Sequence, residues 1–283
     1  MSKQPKIAVC FFGITRSLSY TIESIRNNIL SPVGTIGRVQ IFGHFFDAHY
    51  IDNPRSEEHG ALPRHEHSLI EFDHLALEKP TCEKIISQEE VAAFGDAWSD
   101  DFASLSNVIS QLHSLHQVTE IAMSHSPEII IFARPDLEYH DSLLPVISKA
   151  ASRKTSCVYL PYWQPWTGYN DRFAVIRGRD AMRAYGLRGL EALNFCKAEA
   201  RPLHAELLLK RALADARVKL IPQRAGRVRL GGKRHPENYK HPNEEALSRL
   251  ISRASERLPF LRGRERQVTK IVVDAIYGDR SIE

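Results

Sequence analysis

The chain lacks most of the features that would place it quickly. No apolar run approaches the roughly 20 residues needed to cross a bilayer. The opening Met1-Ser2-Lys3-Gln4-Pro5-Lys6 leads into an apolar stretch too short and wrongly flanked for a signal peptide. The four cysteines, Cys10, Cys82, Cys157 and Cys196, form no C-x-x-C pair, so their spacing indicates neither a zinc site nor a disulfide framework and fits a reducing cytoplasm. A single glycine, Gly13, closes the first apolar run, which excludes a dinucleotide fingerprint, and the missing Gly-Lys-Ser/Thr excludes a phosphate loop. Residues 49–68 hold His49, His59, His65 and His67 without the fixed spacing of a metal site and read as a mobile loop. There is no internal repeat and no nucleic-acid-binding motif, so a nucleic-acid partner is not expected.

What is present is an ordinary globular composition, 43% hydrophobic and 25% charged over 283 residues, enough for a large core. The net charge of +4 is uneven. Arg224 to Glu283 carry 14 Lys/Arg against 8 Asp/Glu, which leaves residues 1–223 at −2. A basic C-terminal region of that kind suits polyanions, diphosphates or an acidic membrane surface.

The central signal is Ile129-Ile130-Ile131-Phe132-Ala133 followed by Arg134-Pro135-Asp136-Leu137-Glu138-Tyr139. Such a run predicts a strand buried on both faces, and one that stops on charge delivers that charge to the crevice beyond the carboxyl ends of a parallel sheet. Lys6 to Gly13 predicts a second buried strand, with a helix after it from the spacing of Leu18, Ile22, Ile25 and Ile29. Ser17 or Ser19 would cap that helix, and Arg16 would stand at its anion-favouring start. Val39 to Phe46 predicts a third strand, ending near His44 and Asp47. Further strands are expected at 69–72, around 84–86, at 155–161, before Val175 and at 218–222. The longest helical pattern runs from Phe102 to Ile121 and carries Asn107, Gln111 and Ser114 on one stripe. Tyr162, Trp163, Trp166 and Tyr169 crowd a Pro/Gly-punctuated loop before Asn170-Asp171-Arg172, a poor core and a good platform for a sugar ring or a base. His204 and Glu206 fall in the first turn of a helix begun at Pro202.

Taken as a series, these pieces resemble the bacterial and viral GT-A-like glycosyltransferases of surface-polysaccharide synthesis. They are Phe12-Gly13-Ile14-Thr15-Arg16-Ser17, Phe42-Gly43-His44-Phe45-Phe46-Asp47, the helical Asn107, Gln111 and Ser114, Ala133-Arg134-Pro135-Asp136-Leu137, Asn170-Asp171-Arg172-Phe173-Ala174 and His204-Ala205-Glu206-Leu207-Leu208. The resemblance implies an α/β fold with a mainly parallel nucleotide-binding sheet flanked by helices. It puts the catalytic domain at residues 1–222 and leaves 223–283 as a basic, mostly helical extension. It implies transfer of a sugar from a nucleoside diphosphate sugar to a saccharide or lipid-linked saccharide acceptor, in the cytoplasm or peripherally at the inner membrane face. Gly13, Arg16, His44, Asp47, Asn107, Gln111, Arg134, Asn170 and Arg172 would then line the donor site, with Asp171, Glu206 and Asp136 catalytic. The Arg134-Pro135-Asp136 turn stands where the family has a metal-binding Asp-x-Asp, with Arg134 replacing the first Asp. Two arrangements follow: Asp136 and Glu138 hold Mg²⁺ or Mn²⁺, the expectation favoured here, or arginines neutralise the diphosphate in its place. A different class, a non-catalytic α/β protein binding polyanions or membrane surfaces through its basic region, is the alternative.

Overall fold

The computed structural model describes residues 4–241, together with Asn243, Ile251, Gln267, Val268 and Val272. Strand β1 (Lys6–Gly13) buries every residue from Ile7 to Phe12, which is why its sequence shows no alternation. Helix α1 (Leu18–Ile25) continues through a π-helical turn at Arg26–Leu30 into α2 (Ser31–Gly34), with Leu18, Ile25, Ile29 and Val33 facing the sheet. Next come β2 (Arg38–Phe46), a hairpin of β3 (Tyr50–Asn53) and β4 (Glu58–Ala61), and β5 (His74–Glu78). Helix α3 (Gln88–Ala92) starts at Ser87, whose hydroxyl accepts the Glu90 N–H, and the long α4 (Ala103–Ser124) leads to β6 (Ile129–Ala133) and β7 (Leu137–Tyr139). The remainder comprises α5 (Leu144–Ser152), β8 (Cys157–Pro161), β9 (Ala174–Arg177), α6 (Arg179–Gly186), α7 (Ala192–Glu199), α8 (Ala205–Ala212), β10 (Val218–Ile221) and β11 (Ala225–Arg227).

Seven strands form one sheet in the order β10-β8-β9-β6-β1-β2-β5, parallel throughout except for β9, which runs against both β6 and β8. Alternate residues of each central strand feed two cores. Ile7, Val9, Phe11, Ile129 and Ile131 pack towards α1, α2 and α5. Ala8, Cys10, Phe12, Ile130 and Phe132 pack towards α4, α6 and α8. Both faces are therefore covered, as a parallel sheet requires.

The chain steps outward from β1 through β2 to β5, then returns to lay β6 on the other side of β1. That reversal opens a crevice beyond Gly13 and Ala133, the switch point where open α/β sheets bind ligands. Because β9 is antiparallel, its amino end and the preceding loop of residues 162–173 lie at the same edge of the sheet.

Three expectations need correction. Residues 49–68 are not simply a loop, since they contain the β3–β4 hairpin. The two short strands expected at 69–72 and 84–86 are replaced by a single strand, β5, between them. Residues 223–241 are no helical appendage: β11 pairs antiparallel with β7, and Ala225 and Val228 are fully buried. The helices expected further on lie almost wholly outside the described residues.

Candidate functional site

At the carboxyl end of β1, Gly13 turns the chain at φ +107°, a conformation open to glycine, and its N–H donates to the Ser114 hydroxyl on α4 at 2.8 Å. Neither Ser17 nor Ser19 caps α1 as expected. The buried Glu66 carboxylate does so instead, accepting the N–H groups of Leu18 and Ser19, each at 3.0 Å, and the Ser19 hydroxyl at 2.6 Å. The anion that the helix start favours is thus supplied by the protein itself. Ser17 turns its hydroxyl to the carbonyl of Val228 at 2.8 Å.

Arg16 is buried and forks between two acids, reaching Glu58 at 2.9 Å and Asp136 at 2.6 Å. Arg134 grips the same Asp136 through two parallel bonds of 2.9 and 2.8 Å and donates its remaining nitrogen to the Gln111 carbonyl at 3.0 Å. Burial alone would push the Asp136 carboxyl up, but Arg134 and Arg16 outweigh it and hold the group far below the usual carboxylate range. Asp136 is only 2% exposed. Glu138 faces away towards Arg234, at 2.7 and 2.8 Å. The donor set therefore does not fit the expected Mg²⁺ or Mn²⁺ site: one carboxylate is taken up by two guanidinium groups and the other by a third. Asp136, expected as a metal-binding and catalytic group, is held by Arg16 and Arg134 in this structure and orients Arg134.

Beyond Arg134 the polar chain continues. The Gln111 amide donates to Asp171 at 3.1 Å, and the fully buried Arg188 approaches the same Asp171 oxygen at 3.5 Å. The next residue, Arg172, bonds Glu237 at 3.0 Å and Gln164 at 2.9 Å and lies over the Trp163 ring. Burial and the neighbouring Arg227 lower its guanidinium to about 10. Asn170 is spent on the loop itself, donating to the Trp163 carbonyl at 2.6 Å and accepting the Arg172 N–H at 3.0 Å. The aromatic platform divides: Trp163 is a core residue whose indole N–H bonds the Gln223 carbonyl, whereas Trp166 is 56% exposed. Gln164, Trp166 and Thr167 all have positive φ (47°, 44° and 69°), a strained loop of the kind found at binding sites.

That loop is pinned to α8. The Tyr169 N–H donates to the Glu206 carbonyl at 3.0 Å, and Gly168 sits so close that an added Cβ would lie 2.0 Å from the same oxygen. Burial, reinforced by the Asp171 charge, raises the Glu206 carboxyl to about 8, so Glu206 is protonated at neutral pH. His204 stacks on Trp98 and places Nδ1 3.2 Å from the Glu206 carboxylate, in an orientation that makes no hydrogen bond.

The other expected donor-site residues are dispersed. Asp47 and Asn107 are exposed. Asp47, with Thr15, His49, Arg64, His65 and His67, lines a small cleft of about 110 Å³. His44 is buried, its Nδ1 at 2.9 Å from Ser114. Sequence reasoning missed Glu58, Glu66, Arg188 and Glu237. Glu58 also takes Arg229 at 3.3 Å and the Leu230 N–H at 2.8 Å, so β11 and the chain after it close over Arg16 and Asp136. All five cations from Arg224 to Arg234 are paired internally: Arg224 with Asp141, Arg227 with Glu237, Arg229 with Glu58, Lys233 with Glu57 and Arg234 with Glu138.

Arginines, an amide and two unlike carboxyls thus meet at the switch point of a mostly parallel α/β sheet. Comparison with protein-family models and with curated proteins gave no match to this chain. The chemistry of the site rests on its geometry.

Proposed function

We propose that the protein is a GT-A-like glycosyltransferase that moves a sugar from a nucleoside diphosphate sugar to a hydroxyl of a saccharide or lipid-linked saccharide. The observation that carries this is the hydrogen-bonded row Arg134, Gln111, Asp171 and Arg188 at the sheet's ligand edge, beside a Glu206 that holds its proton to about pH 8. The Arg134 side chain is 19% exposed and is oriented by Asp136. It is the group to neutralise a leaving diphosphate, an electrostatic role worth on the order of 2.7–4 kcal/mol per donor. No step is routed through a metal at Asp136.

In the proposed reaction the acceptor hydroxyl attacks the anomeric carbon as the bond to the diphosphate oxygen breaks. Asp171 takes the hydroxyl proton, and the negative charge leaves on the diphosphate. Protonated Glu206 is a hydrogen-bond donor next to that exchange, not the base. Trp166 offers an exposed ring face for a sugar.

The test is a panel of nucleotide sugars, read by diphosphate release and by ligand-induced thermal shift on the folded full-length chain. One donor giving turnover that D171N loses is the expected result; no response to any donor ends the proposal. The alternative, polyanion binding through the basic region, draws no support from residues 224–234, whose named cations are already paired. It falls to residues 242–283, almost all outside the described residues. Among the described residues no helix is long and apolar enough to cross a membrane.

A further inference from the structure

Outside the row of arginines and carboxyls, a second polar cluster lies between β2, β5 and α4. His44 is 1% exposed, and its ring tautomer is fixed by its neighbours. The Ser114 hydroxyl donates its only proton to the His44 carbonyl at 2.8 Å, so it accepts from His44 Nδ1–H at 2.9 Å. The lone pair of His44 therefore sits on Nε2. That atom is fully buried, has no hydrogen-bond partner and lies 3.4 Å from a Glu78 carboxylate oxygen. With no proton between them the two acceptors repel, a conflict that a cation held between them would remove. His113 Nε2 reaches the same Glu78 oxygen at 2.8 Å. The Cys82 sulfur lies 3.1 Å from that oxygen and 3.9 Å from His113 Nε2.

We propose that His44, Glu78 and His113 bind one divalent transition-metal ion of the zinc class, with Cys82 as the adjacent fourth donor. The donor atoms of the first three lie within 4.8 Å of one another. Zinc bonds of roughly 2.0–2.3 Å place tetrahedral donors roughly 3.3–3.6 Å apart; the 3.4 Å separation of His44 and Glu78 already fits, and the 2.8 Å His113–Glu78 and 3.1 Å Cys82–Glu78 separations must open slightly. Imidazole nitrogen, carboxylate oxygen and thiolate sulfur are the donors zinc favours. The hydrogen bond from His44 Nδ1 to Ser114 is the outer support such a ligand usually has.

One rearrangement accompanies uptake. His113 now accepts the Ile85 N–H on Nδ1 at 3.2 Å and carries its proton on Nε2, towards Glu78. On metal binding that proton moves to Nδ1, and the long bond from Ile85 is given up. The segment between β5 and α3 has no regular secondary structure to resist the shift. Uptake by the three residues releases no net proton, and ligation by Cys82 releases one from the thiol. Burial and the bond to Glu78 raise the Cys82 thiol, and Lys84, 3.2 Å from the sulfur, offsets only part of this. The ion would be structural: it ties β2 and β5 to α4, the helix that carries Gln111.

The test uses the full chain, stripped with a chelator and then titrated with Zn²⁺ and with Co²⁺. The expected result is uptake of a single equivalent, a raised Tm and the visible bands of tetrahedral Co²⁺. C82S should keep the ion but lose the sulfur-to-cobalt band, and E78Q, half-exposed and isosteric, should bind at least about tenfold more weakly. H113Q provides a second check should E78Q not fold. Failure of the wild-type chain to take up either ion, or uptake unchanged in both E78Q and H113Q, overturns the proposal.

Discussion

Asp136 is a buried carboxyl and Glu206 a partly buried one, and their surroundings drive them in opposite directions. Glu206 meets burial and the charge of Asp171, so its folded pKa of about 8 stands above the unfolded value of roughly 4.3. The folded chain then binds the extra proton between those two values, and stability falls as pH rises across that window. E206Q should therefore be more stable than wild type near about pH 9, by on the order of a few kcal/mol, with the difference closing near about pH 4. Thermal melts across pH measure this. The same titration should give kcat/KM an alkaline limb near pH 8 that is missing in E206Q. Retention of the limb would deny Glu206 a part in turnover. Asp136 behaves in the reverse sense: its pKa is depressed, so its contribution is present above the unfolded value of roughly 3.9 and is lost as pH falls. D136N leaves Arg16 and Arg134 without their shared counter-charge and should destabilise the fold by about 3–5 kcal/mol in urea unfolding. A neutral effect there would show that the pair of ion contacts contributes little.

At the scale of elements, the loop from Tyr162 to Phe173 sets the site by clamping itself to the start of α8. Gly168 is the point of closest approach, and its added Cβ would meet the backbone of Glu206 and Leu207 at 2.0–2.6 Å. Backbone cannot swing away as a flexible side chain can, so G168A should push loop and helix apart. The expected outcome is a loss of kcat greater than any rise in KM, together with a drop of Glu206 towards an ordinary carboxyl pKa as water enters. Unchanged kinetics in a folded G168A would mean that the clamp does not position the site. The elements most legible in the sequence were β1, β6 and β8, whose unbroken apolar runs follow from burial on both faces, and α4, whose period of three and four reflects one buried stripe. The loop's composition drew attention to Asp171 and Arg172, which the fold places against Gln111 and Glu237. It did not show that Trp163 belongs to the core, because an indole N–H satisfied by the Gln223 carbonyl looks no different in sequence from one left free for a ligand.

At the scale of the whole molecule, the site is built from segments far apart in the chain, and this is why so much of it was hidden. Arg16 and Asp136 were both candidates, yet their 2.6 Å contact spans 120 positions, and nothing local to either residue announces it. Glu58 and Glu66 lay in a stretch taken for a loop, although they anchor Arg16 and α1. The basic composition of residues 224–234 suggested an outside partner. Its partners are internal acids, and a count of charges cannot tell the two apart. A chain ending at Pro222 should consequently lose more than ligand binding: without β11 and Glu237 it leaves Arg172, Glu58 and the edge of β7 uncovered. Its expected behaviour is a broad, non-cooperative melt with increased dye binding. A sharp transition at the full-length temperature would instead make the segment an accessory.

The antiparallel pairing of β11 with β7 also sets an order of events during synthesis. The strands from β1 to β10 are all available once residue 221 has left the ribosome, but the contact from Ser17 to Val228 bridges 211 positions and must wait for residue 228. Until Glu237 emerges, the nascent protein holds a nearly finished sheet with its crevice still open to water. A stop codon between residues 222 and 237 would thus release a body that quality-control proteases can distinguish from the finished one by its unsealed sheet edge.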